Sequence, residues 1–214
     1  MNLMNFISIA EEVINNHAIQ RKTRRADNKA LKTTKEKEMT YIAFLRGINV
    51  SGHKIIKMTE LKLMFEKMGY KNVRTFIQSG NVVFETKQTK NESLAGKIEK
   101  DLAKALGYEV SVVVRTTDDI KSIIAKYPFS KIKNHDSFKV NVAFLSAEPD
   151  NANTKELESL NSKDEMFKVS ANNVYVIYSK GFPDTLTGKN ILEKKLKVRA
   201  TVRNWNTVNK ILNV

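Results

Sequence analysis

The chain has 214 residues, 41% of them apolar, which is enough for one large domain or two small ones with a real core. It contains no cysteine, which excludes disulfides, thiolate catalysis and cysteine–zinc sites, and no apolar run approaches the length of a membrane-spanning helix. The net charge of +14 favours anionic partners, although lysines scattered over a solvated surface give the same number. We expect a cytoplasmic protein that does not enter the membrane.

The first 38 residues differ in character from the rest of the chain. Apolar residues near the start, at helical spacing, predict one short amphipathic helix: Leu3, Phe6, Ile7, Ala10, Val13 and Ile14. The polar segment that follows lacks apolar periodicity and contains a basic cluster: Arg21, Lys22, Arg24 and Arg25. We interpret residues 1–38 as an extension made of a helix and a charged linker. A solvated tail and a nucleic-acid-binding arm both fit this segment.

Short strands and helices alternate from Met39 onward. The first part of this region predicts strand, helix, strand, strand, helix and strand at residues 41–45, 59–68, 73–78, 82–86, 93–106 and 110–115. Thr59 is expected to cap the first helix, and Gly107 to end the second. The sequence Ser79-Gly80-Asn81 predicts a hairpin turn. The β-α-β-β-α-β order is that of a ferredoxin-like sandwich.

The second part of the region predicts a similar order of elements. After a helix at 118–126, the strands and helices are expected at residues 139–145, 154–160, 166–170, 174–178, 190–196 and 200–203, and a final helix begins near Asn204. The predicted fold class is therefore α+β, with two ferredoxin-like subdomains and antiparallel sheets, at 39–116 and 117–214. The sequence shows no repeat strong enough to establish a duplication.

Residue spacings of the common catalytic and metal-binding motifs are missing. His17, His53 and His135 lie far apart, and none has a metal-ligating partner at helical or strand spacing. The chain has no G-x-S-x-G elbow and no dinucleotide fingerprint. We expect no metal and no cofactor, and the sequence identifies no catalytic residue.

Three stretches far apart in the sequence are rich in hydrogen-bond donors, and the first is LRGINVSGHK at 45–54. Gly47 permits a turn that other residues avoid, and Arg46, Asn49 and Lys54 offer donors to an anion. This pattern favours a binding loop after the strand. The alternative is that Arg46 pairs with a glutamate and the glycines only shape the turn.

The other two stretches are IQSGN at 77–81 and RNWN at 203–206. Hairpin chemistry alone explains Gly80 and Asn81, whereas Gln78 is expected at a strand end, where it can face a cleft. Trp205, the only tryptophan, either packs the last helix on the core or forms a stacking platform beside Arg203.

The stretches YIAFLRGINVSGHKIIKM (41–58), VRTFIQSGNVVFE (73–85) and KKLKVRATVRNWNTVNKI (194–211) together resemble DUF1697, a family of small, mainly bacterial proteins of uncharacterised function. The resemblance extends from about residue 39 to the C-terminus, and Ser51 stands where members typically have glycine. It implies two ferredoxin-like subdomains and no established activity. It also marks positions expected to form one cluster: Arg46, Gly47, Asn49, Gln78, Ser79, Gly80, Asn81, Arg203, Asn204 and Trp205.

We predict a ligand-binding site formed by Arg46, Gly47, Asn49, Lys54, Gln78, Ser79, Asn81, Arg203, Asn204 and Trp205. Arg46, Lys54 and Arg203 would hold an anionic group, which favours a phosphate-bearing small molecule or nucleotide. One alternative is an enzyme acting on a phosphorylated small molecule, with His53 or Lys54 moving protons. The other is a protein-interaction or RNA-binding module, with aromatic residues of the strands exposed for base stacking.

Overall fold

The computed structural model describes residues 37–50, 52, 54–133, 135–181 and 185–214, and only the backbone of Lys189. The predicted N-terminal helix, the basic cluster in the linker after it, and residues Ser51 and His53 lie outside the described residues. Within the described chain, Glu38–Val214 form one compact unit.

The first half of this unit contains four strands and two helices. In chain order they are β1 (Glu38–Leu45), α1 (Met58–Lys67), β2 (Lys71–Phe76), β3 (Asn81–Lys87), α2 (Asn91–Leu106) and β4 (Val112–Thr116). The strands form an antiparallel sheet in the order β2-β3-β1-β4. Gly107 ends α2 in the left-handed conformation at φ 76°, as predicted. Thr59 does not cap α1, because the helix begins at Met58 after Lys57.

The second half repeats this arrangement after a connecting helix, α3 (Thr117–Ala125). Its elements are β5 (Phe138–Leu145), α4 (Asn151–Glu158), β6 (Glu165–Ser170), β7 (Asn173–Ser179), α5 (Ile191–Leu196) and β8 (Ala200–Asn204). The sheet order is β6-β7-β5-β8, the counterpart of the first. A last helix, α6 (Trp205–Lys210), closes the chain. The two four-stranded antiparallel sheets confirm the predicted fold class, while the subdomain boundary at residue 117 stays a prediction.

Three apolar layers hold the unit together. The outer face of the first sheet packs on α1 and α2, and the outer face of the second sheet packs on α4 and α5. The inner faces of both sheets share a central core with α3 and α6. At its centre the rings of Phe44 and Phe144 stack with centroids 4.1 Å apart. The sheet faces on which a ferredoxin-like protein can stack bases are thus covered by each other.

The two halves match residue by residue in the register of their strands. Phe44 pairs with Asn81 across β1 and β3, and Phe144 pairs with Asn173 across β5 and β7. On the other side, Ile42 pairs with Arg115 and Val142 pairs with Arg203. Each sheet therefore carries a Phe, an Asn and an Arg at equivalent positions, all at the junction between the halves.

Candidate functional site

Arg203 lies buried where the three donor-rich stretches meet. Its Nε donates to Asn81 Oδ1 at 2.5 Å, and its Nη2 donates to the carbonyl oxygens of Leu45 at 2.7 Å and Ser79 at 2.8 Å. The guanidinium also lies over the Phe44 ring, 5.6 Å from the centroid. The structure thus brings the three stretches together, as the sequence suggested, through an arginine whose three nitrogens all donate to protein acceptors.

Arg115 makes the equivalent contacts in the opposite direction. Its Nε donates to Asn173 Oδ1 at 3.3 Å, and its Nη2 donates to the carbonyl oxygens of Leu145 at 2.9 Å and Asn172 at 2.7 Å. It lies over the Phe144 ring, 5.8 Å from the centroid. Each half therefore lends one arginine to the strand end and hairpin of the other, and we call this pair the reciprocal arginines.

Burial lowers the pKa of both Arg115 and Arg203 to about 10. Both guanidinium groups are therefore charged at neutral pH. The acceptors around Arg203 are neutral carbonyl, amide and hydroxyl oxygens, so its charge is stabilised by fixed dipoles. This surrounding supports a role for Arg203 in joining the halves.

The loop after β1 is fastened to the first hairpin by Asn49. Its Nδ2 donates to the carbonyl oxygens of Ile56 at 3.0 Å and Gln78 at 2.9 Å, and its Oδ1 accepts from the N–H of Ile56. Gly80 is held at φ 76°, and a Cβ there would lie 2.7 Å from Ile48 Cδ1. Only glycine fits this close approach, so the loop and the hairpin form one braced surface.

Arg46 and Lys54 project from the same loop but contact different parts of the protein. Arg46 Nη2 lies 2.6 Å from Glu193 Oε2 in the second half, which is the glutamate pairing expected as the alternative to anion binding. Lys54 Nζ donates to the carbonyl oxygen of Glu109 at 2.8 Å and lies over the Tyr108 ring. Each cation already has a protein partner.

The remaining predicted residues divide between the hairpin and the last helix. Gly47 is exposed at φ 68°, and Gln78 lies in the exposed turn 77–80 and not at a strand end. Ser79 Oγ accepts from the amide of Asn81 at 3.0 Å. Asn204 caps α6, since its Oδ1 accepts from the Thr207 N–H at 2.8 Å.

Trp205 packs partly into the central core and borders an open cavity of about 550 Å³. Its ring lies 4.6 Å from that of Tyr127, so the core-packing role predicted for it is realised on this side. The lining residues come from β5 and the short helical turn before it, from the end of β7 and the residue after it, from the last residue of β8 and from the start of α6: His135, Asp136, Phe138, Lys139, Val140, Asn141, Tyr178, Lys180, Asn204, Trp205 and Asn206. We call this space the Trp205 cavity.

Charged groups of the Trp205 cavity include two lysines without fixed partners. Within the described part of the chain, neither the Lys139 nor the Lys180 ammonium has an ion-pair or hydrogen-bond partner. The side chains of Asn141 and Asn206 likewise have no hydrogen-bond partner among the described residues. Among the residues that the structure describes, donors without a partner therefore lie here rather than at the reciprocal arginines.

Behind the cavity, Tyr127 Oη lies 2.7 Å from His135 Nε2. Burial raises the pKa of Tyr127 to about 12, so its hydroxyl keeps its proton at neutral pH. The hydroxyl and the ring nitrogen form a hydrogen bond whose direction depends on the histidine tautomer. This pair fixes the orientation of the histidine ring at the cavity wall.

Groups of three or more His, Asp or Glu side chains able to hold a metal ion are absent from the described residues. Nor does the part of the chain that the structure describes include a helix of the length and apolarity needed to span a membrane.

Sequence reasoning missed Arg115, Asn173 and the residues of the Trp205 cavity outside the C-terminal stretch. A short sequence repeat does exist around the contacts of Arg115 and Asn173, since IAFL ends β1 at Leu45 and VAFL ends β5 at Leu145. VVVRT at 112–116 likewise matches ATVRN at 200–204. The matches are too short to be convincing until strand register aligns them. Lys139 and Lys180 carry no local signal, because only the pairing of β5 with β7 brings them together.

Fold and junction together define a protein of two ferredoxin-like halves packed sheet against sheet and joined by reciprocal arginines. The chain belongs to the family described as protein of unknown function (DUF1697), whose model matches residues 39–175. A solved structure with the same fold is the conserved bacterial protein SP0830 from Streptococcus pneumoniae, with a TM-score of 0.64 and 22% identity over 83% of this chain and 98% of that one. A search of curated proteins found no match.

Proposed function

We propose that the protein binds a small phosphate-bearing ligand in the Trp205 cavity. The observation that carries the proposal is that two lysines without partners among the described residues, Lys139 and Lys180, line the same cavity as the indole of Trp205. An ammonium group with no carboxylate partner attracts an oxyanion, and an indole offers a flat wall to a ring. The combination favours a nucleotide or a phosphorylated metabolite with a ring.

Formal charges at the cavity favour an anion as well. Among the described lining residues, Lys139 and Lys180 outnumber the one carboxylate, Asp136, and the whole chain adds its net charge of +14 at longer range. Asn141 and Asn206 supply neutral donors that can orient a ligand by hydrogen bonds. The volume of about 550 Å³ lies within the range typical of small-molecule sites.

This proposal keeps two of the ligand contacts predicted from the sequence, Asn204 and Trp205. Arg203 is assigned to the junction of the halves, because its nitrogens donate to protein acceptors. Arg46 is assigned to the same junction through Glu193. The sequence predicted an anion site around the 46–54 loop. The proposal places it instead in the Trp205 cavity, at the start of α6.

The test is a thermal-shift screen of nucleotides and phosphorylated metabolites, followed by fluorescence titration. A ligand at about 100 times its dissociation constant stabilises a protein by roughly 2.7 kcal/mol, which gives a clear rise in melting temperature. Because Trp205 is the only tryptophan, its emission reports occupancy of the cavity directly. We expect Lys139→Ala with Lys180→Ala to abolish both signals.

The matched control replaces two exposed lysines of the second half that lie outside the cavity, Lys155 and Lys163. Lys155→Ala with Lys163→Ala removes the same formal charge and should leave the binding curve unchanged. If both double variants weaken binding equally, the effect is that of net charge and the proposed site is wrong. If no compound in the screen shifts either signal, the proposal also fails.

The cytoplasmic location stays a prediction, and so do the enzyme and RNA-binding alternatives. For RNA, three of the strand aromatics considered for base stacking, Tyr41, Phe44 and Phe84, are fully buried. Filter binding of mixed RNA at two salt concentrations tests this alternative, because phosphate contacts weaken as salt rises. We expect no salt-sensitive retention beyond that of a protein of equal charge.

A further inference from the structure

The two halves differ most at one edge of the molecule. The loop after β1 spans residues 46–57, whereas the loop after β5 spans only 146–150. The hairpin between β2 and β3 turns through residues 77–80, whereas that between β6 and β7 turns through 171–172. Since the second half forms the same sheet without these additions, they are not needed for a ferredoxin-like half to fold.

The additions carry most of the large apolar side chains exposed in the described chain. Val50 is 58% exposed, Ile55 is 72% exposed and Ile77 is 46% exposed, and the fourth, Leu63, lies on α1. Asn49 bonds to the backbone next to Ile55 and next to Ile77, so the three aliphatic side chains project from adjacent turns. We call the described residues of 46–57 and 77–80 the loop–hairpin surface.

Ile77 is unfavourable for stability in two respects. Its backbone lies at φ 50°, a left-handed conformation that β-branched residues avoid, and nearly half of its apolar surface faces water. At the corresponding start of the second hairpin turn, Ala171 takes the same conformation at φ 48°. The turn therefore requires the conformation but not an isoleucine.

The loop of the loop–hairpin surface contributes charges of one sign. The sequence of residues 46–57 contains Arg46, Lys54 and Lys57 and no acidic residue. Glu193 pairs with Arg46, and Lys57, whose side chain is 77% exposed, has only a loose ion pair with Glu60 at 4.0 Å. Lys54 donates to a backbone carbonyl oxygen, which leaves its charge without a carboxylate. A partner that covers this surface needs carboxylates at the rim. A second copy of the chain, at +14, would be repelled.

We propose that the loop–hairpin surface docks a segment of another protein that presents apolar side chains flanked by carboxylates. Exposed aliphatic tips with a cationic rim match the core-and-rim arrangement of protein interfaces. A single-stranded nucleic acid would need exposed aromatic faces for stacking, and the described residues of the surface offer aliphatic tips instead. This inference concerns a different surface from the Trp205 cavity and does not depend on it.

The experiment selects a phage-displayed library of random peptides about 12 residues long on the full chain, with removal of phage that bind Ile55→Ser with Ile77→Asn. We expect enrichment of peptides that combine large apolar residues with Asp or Glu. The winning peptide should bind Ile55→Ser, Ile77→Asn and Lys57→Glu about tenfold more weakly than the unchanged protein, which is the loss expected at a central interface residue.

Leu63→Ser is the matched control, because Leu63 is also an exposed aliphatic residue, 54% exposed, but lies on α1. It should leave peptide binding unchanged. A second readout separates docking from folding. Ile77→Asn should raise the melting temperature by about 3 °C, since asparagine tolerates φ above zero. The same substitution should weaken binding of the peptide.

The proposal is overturned if selection yields no peptide that prefers the unchanged protein over the double variant. It is also overturned if the winning peptide binds Ile55→Ser and Leu63→Ser alike. Single-stranded RNA and anionic phosphatidylserine vesicles are tested in parallel. If no peptide binds, but RNA or the vesicles bind and Ile55→Ser abolishes that binding, the surface is assigned to that partner instead.

Discussion

The two halves of this protein share their sheet order and their strand register, yet differ in the lengths of two connections. In each half, an arginine of the other half donates to the carbonyl oxygen of the leucine that ends the first strand, Leu45 or Leu145. The same arginine also contacts the hairpin of that half. The first half alone adds the longer loop 46–57 and the longer turn 77–80. The shared arginine contacts show what the junction between the halves requires. The longer loop and turn are not required by the fold, so they can serve a separate function such as binding a partner.

The reciprocal arginines explain much of the donor-rich sequence that marks the family resemblance. Arg203 and Asn81 belong to the RNWN and IQSGN stretches, and they bond to each other across the junction. Arg115 and Asn173 form the equivalent pair, although their surroundings in the sequence look unremarkable. A buried cation is costly to desolvate, so two of them at one interface favour orientation of the halves over maximal stability.

The largest expected effect comes from removing one of the reciprocal arginines. Arg203→Ala removes the donor to the buried Leu45 carbonyl and to the part-buried Ser79 carbonyl, and we expect a loss of about 2–4 kcal/mol in the free energy of unfolding. Arg115→Ala should cost a similar amount, because it removes the donor to the buried Leu145 carbonyl, although the Asn172 carbonyl still accepts from the Leu145 N–H. Urea unfolding followed by circular dichroism measures both.

The double variant sharpens this comparison between the halves. Both arginines lie over the stacked rings of Phe44 and Phe144, so their losses should not add, and the coupling should exceed about 0.5 kcal/mol. If one single variant loses less than about 1 kcal/mol while the other unfolds the protein, the two halves are not energetically equivalent.

Sequence patterns predicted the strands, the helices and the fold class well, because they depend on local periodicity and on turn residues. The hairpin at Gly80 and the end of α2 at Gly107 are both set by glycine at positive φ. The face-to-face packing of the sheets was not predicted, since nothing local distinguishes the buried Phe44 from an aromatic exposed for stacking. The cavity lysines were missed for the same reason, as their proximity depends on tertiary structure.

Substituting one glycine in each addition, Gly80 and Gly47, distinguishes a steric clash from the cost of a positive φ alone. In Gly80→Ala the new Cβ would lie 2.7 Å from Ile48 Cδ1 and 2.9 Å from Leu45 Cβ, at a positive φ. We expect a loss of about 2–3 kcal/mol. Gly47→Ala meets nothing within 4 Å, so only its φ of 68° opposes it, and the loss should be about 1 kcal/mol. Equal losses in thermal unfolding would show that the loop is not braced against the hairpin.

Alkaline pH tests the wall of the Trp205 cavity. The pKa of Tyr127 is raised by burial to about 12, above the ordinary value of 10.0. Between these values the unfolded chain loses the phenol proton while the folded chain keeps it, so this group's contribution to stability is complete below pH 10 and is lost as pH rises toward 12. Because the ring is half-buried, we expect the loss to reach only about 1 kcal/mol.

Tyr127→Phe should therefore make the fall in unfolding free energy between pH 10 and 12 shallower, by a few tenths to about 1 kcal/mol. Tyr175→Phe is a useful comparison, since burial raises the pKa of that tyrosine too and its hydroxyl donates to the Ile123 carbonyl at 2.8 Å. Identical pH profiles for Tyr127→Phe and the unchanged protein would place the phenol in water.

The smallest effect is expected for Arg46, the residue whose position first suggested an anion site. Its ion pair with Glu193 is 2.6 Å long, but the arginine side chain is 39% exposed, so solvent and salt weaken the pair. Arg46→Ala should reduce the free energy of unfolding by less than about 1 kcal/mol, and the difference should shrink further in high salt. Glu193→Ala should cost more, because Glu193 also accepts from the Ala200 N–H at 2.8 Å.

The expected losses distinguish Arg46 from Arg203, although both contact the opposite half. Ser146, the counterpart of Arg46 in the second half, has no guanidinium, so the fold does not require one at that position. A loss above about 2 kcal/mol for Arg46→Ala would place Arg46 with Arg203 as a structural residue. A small loss with no change in unfolding cooperativity leaves Arg46 available to a partner of the loop–hairpin surface, which is where the two halves differ.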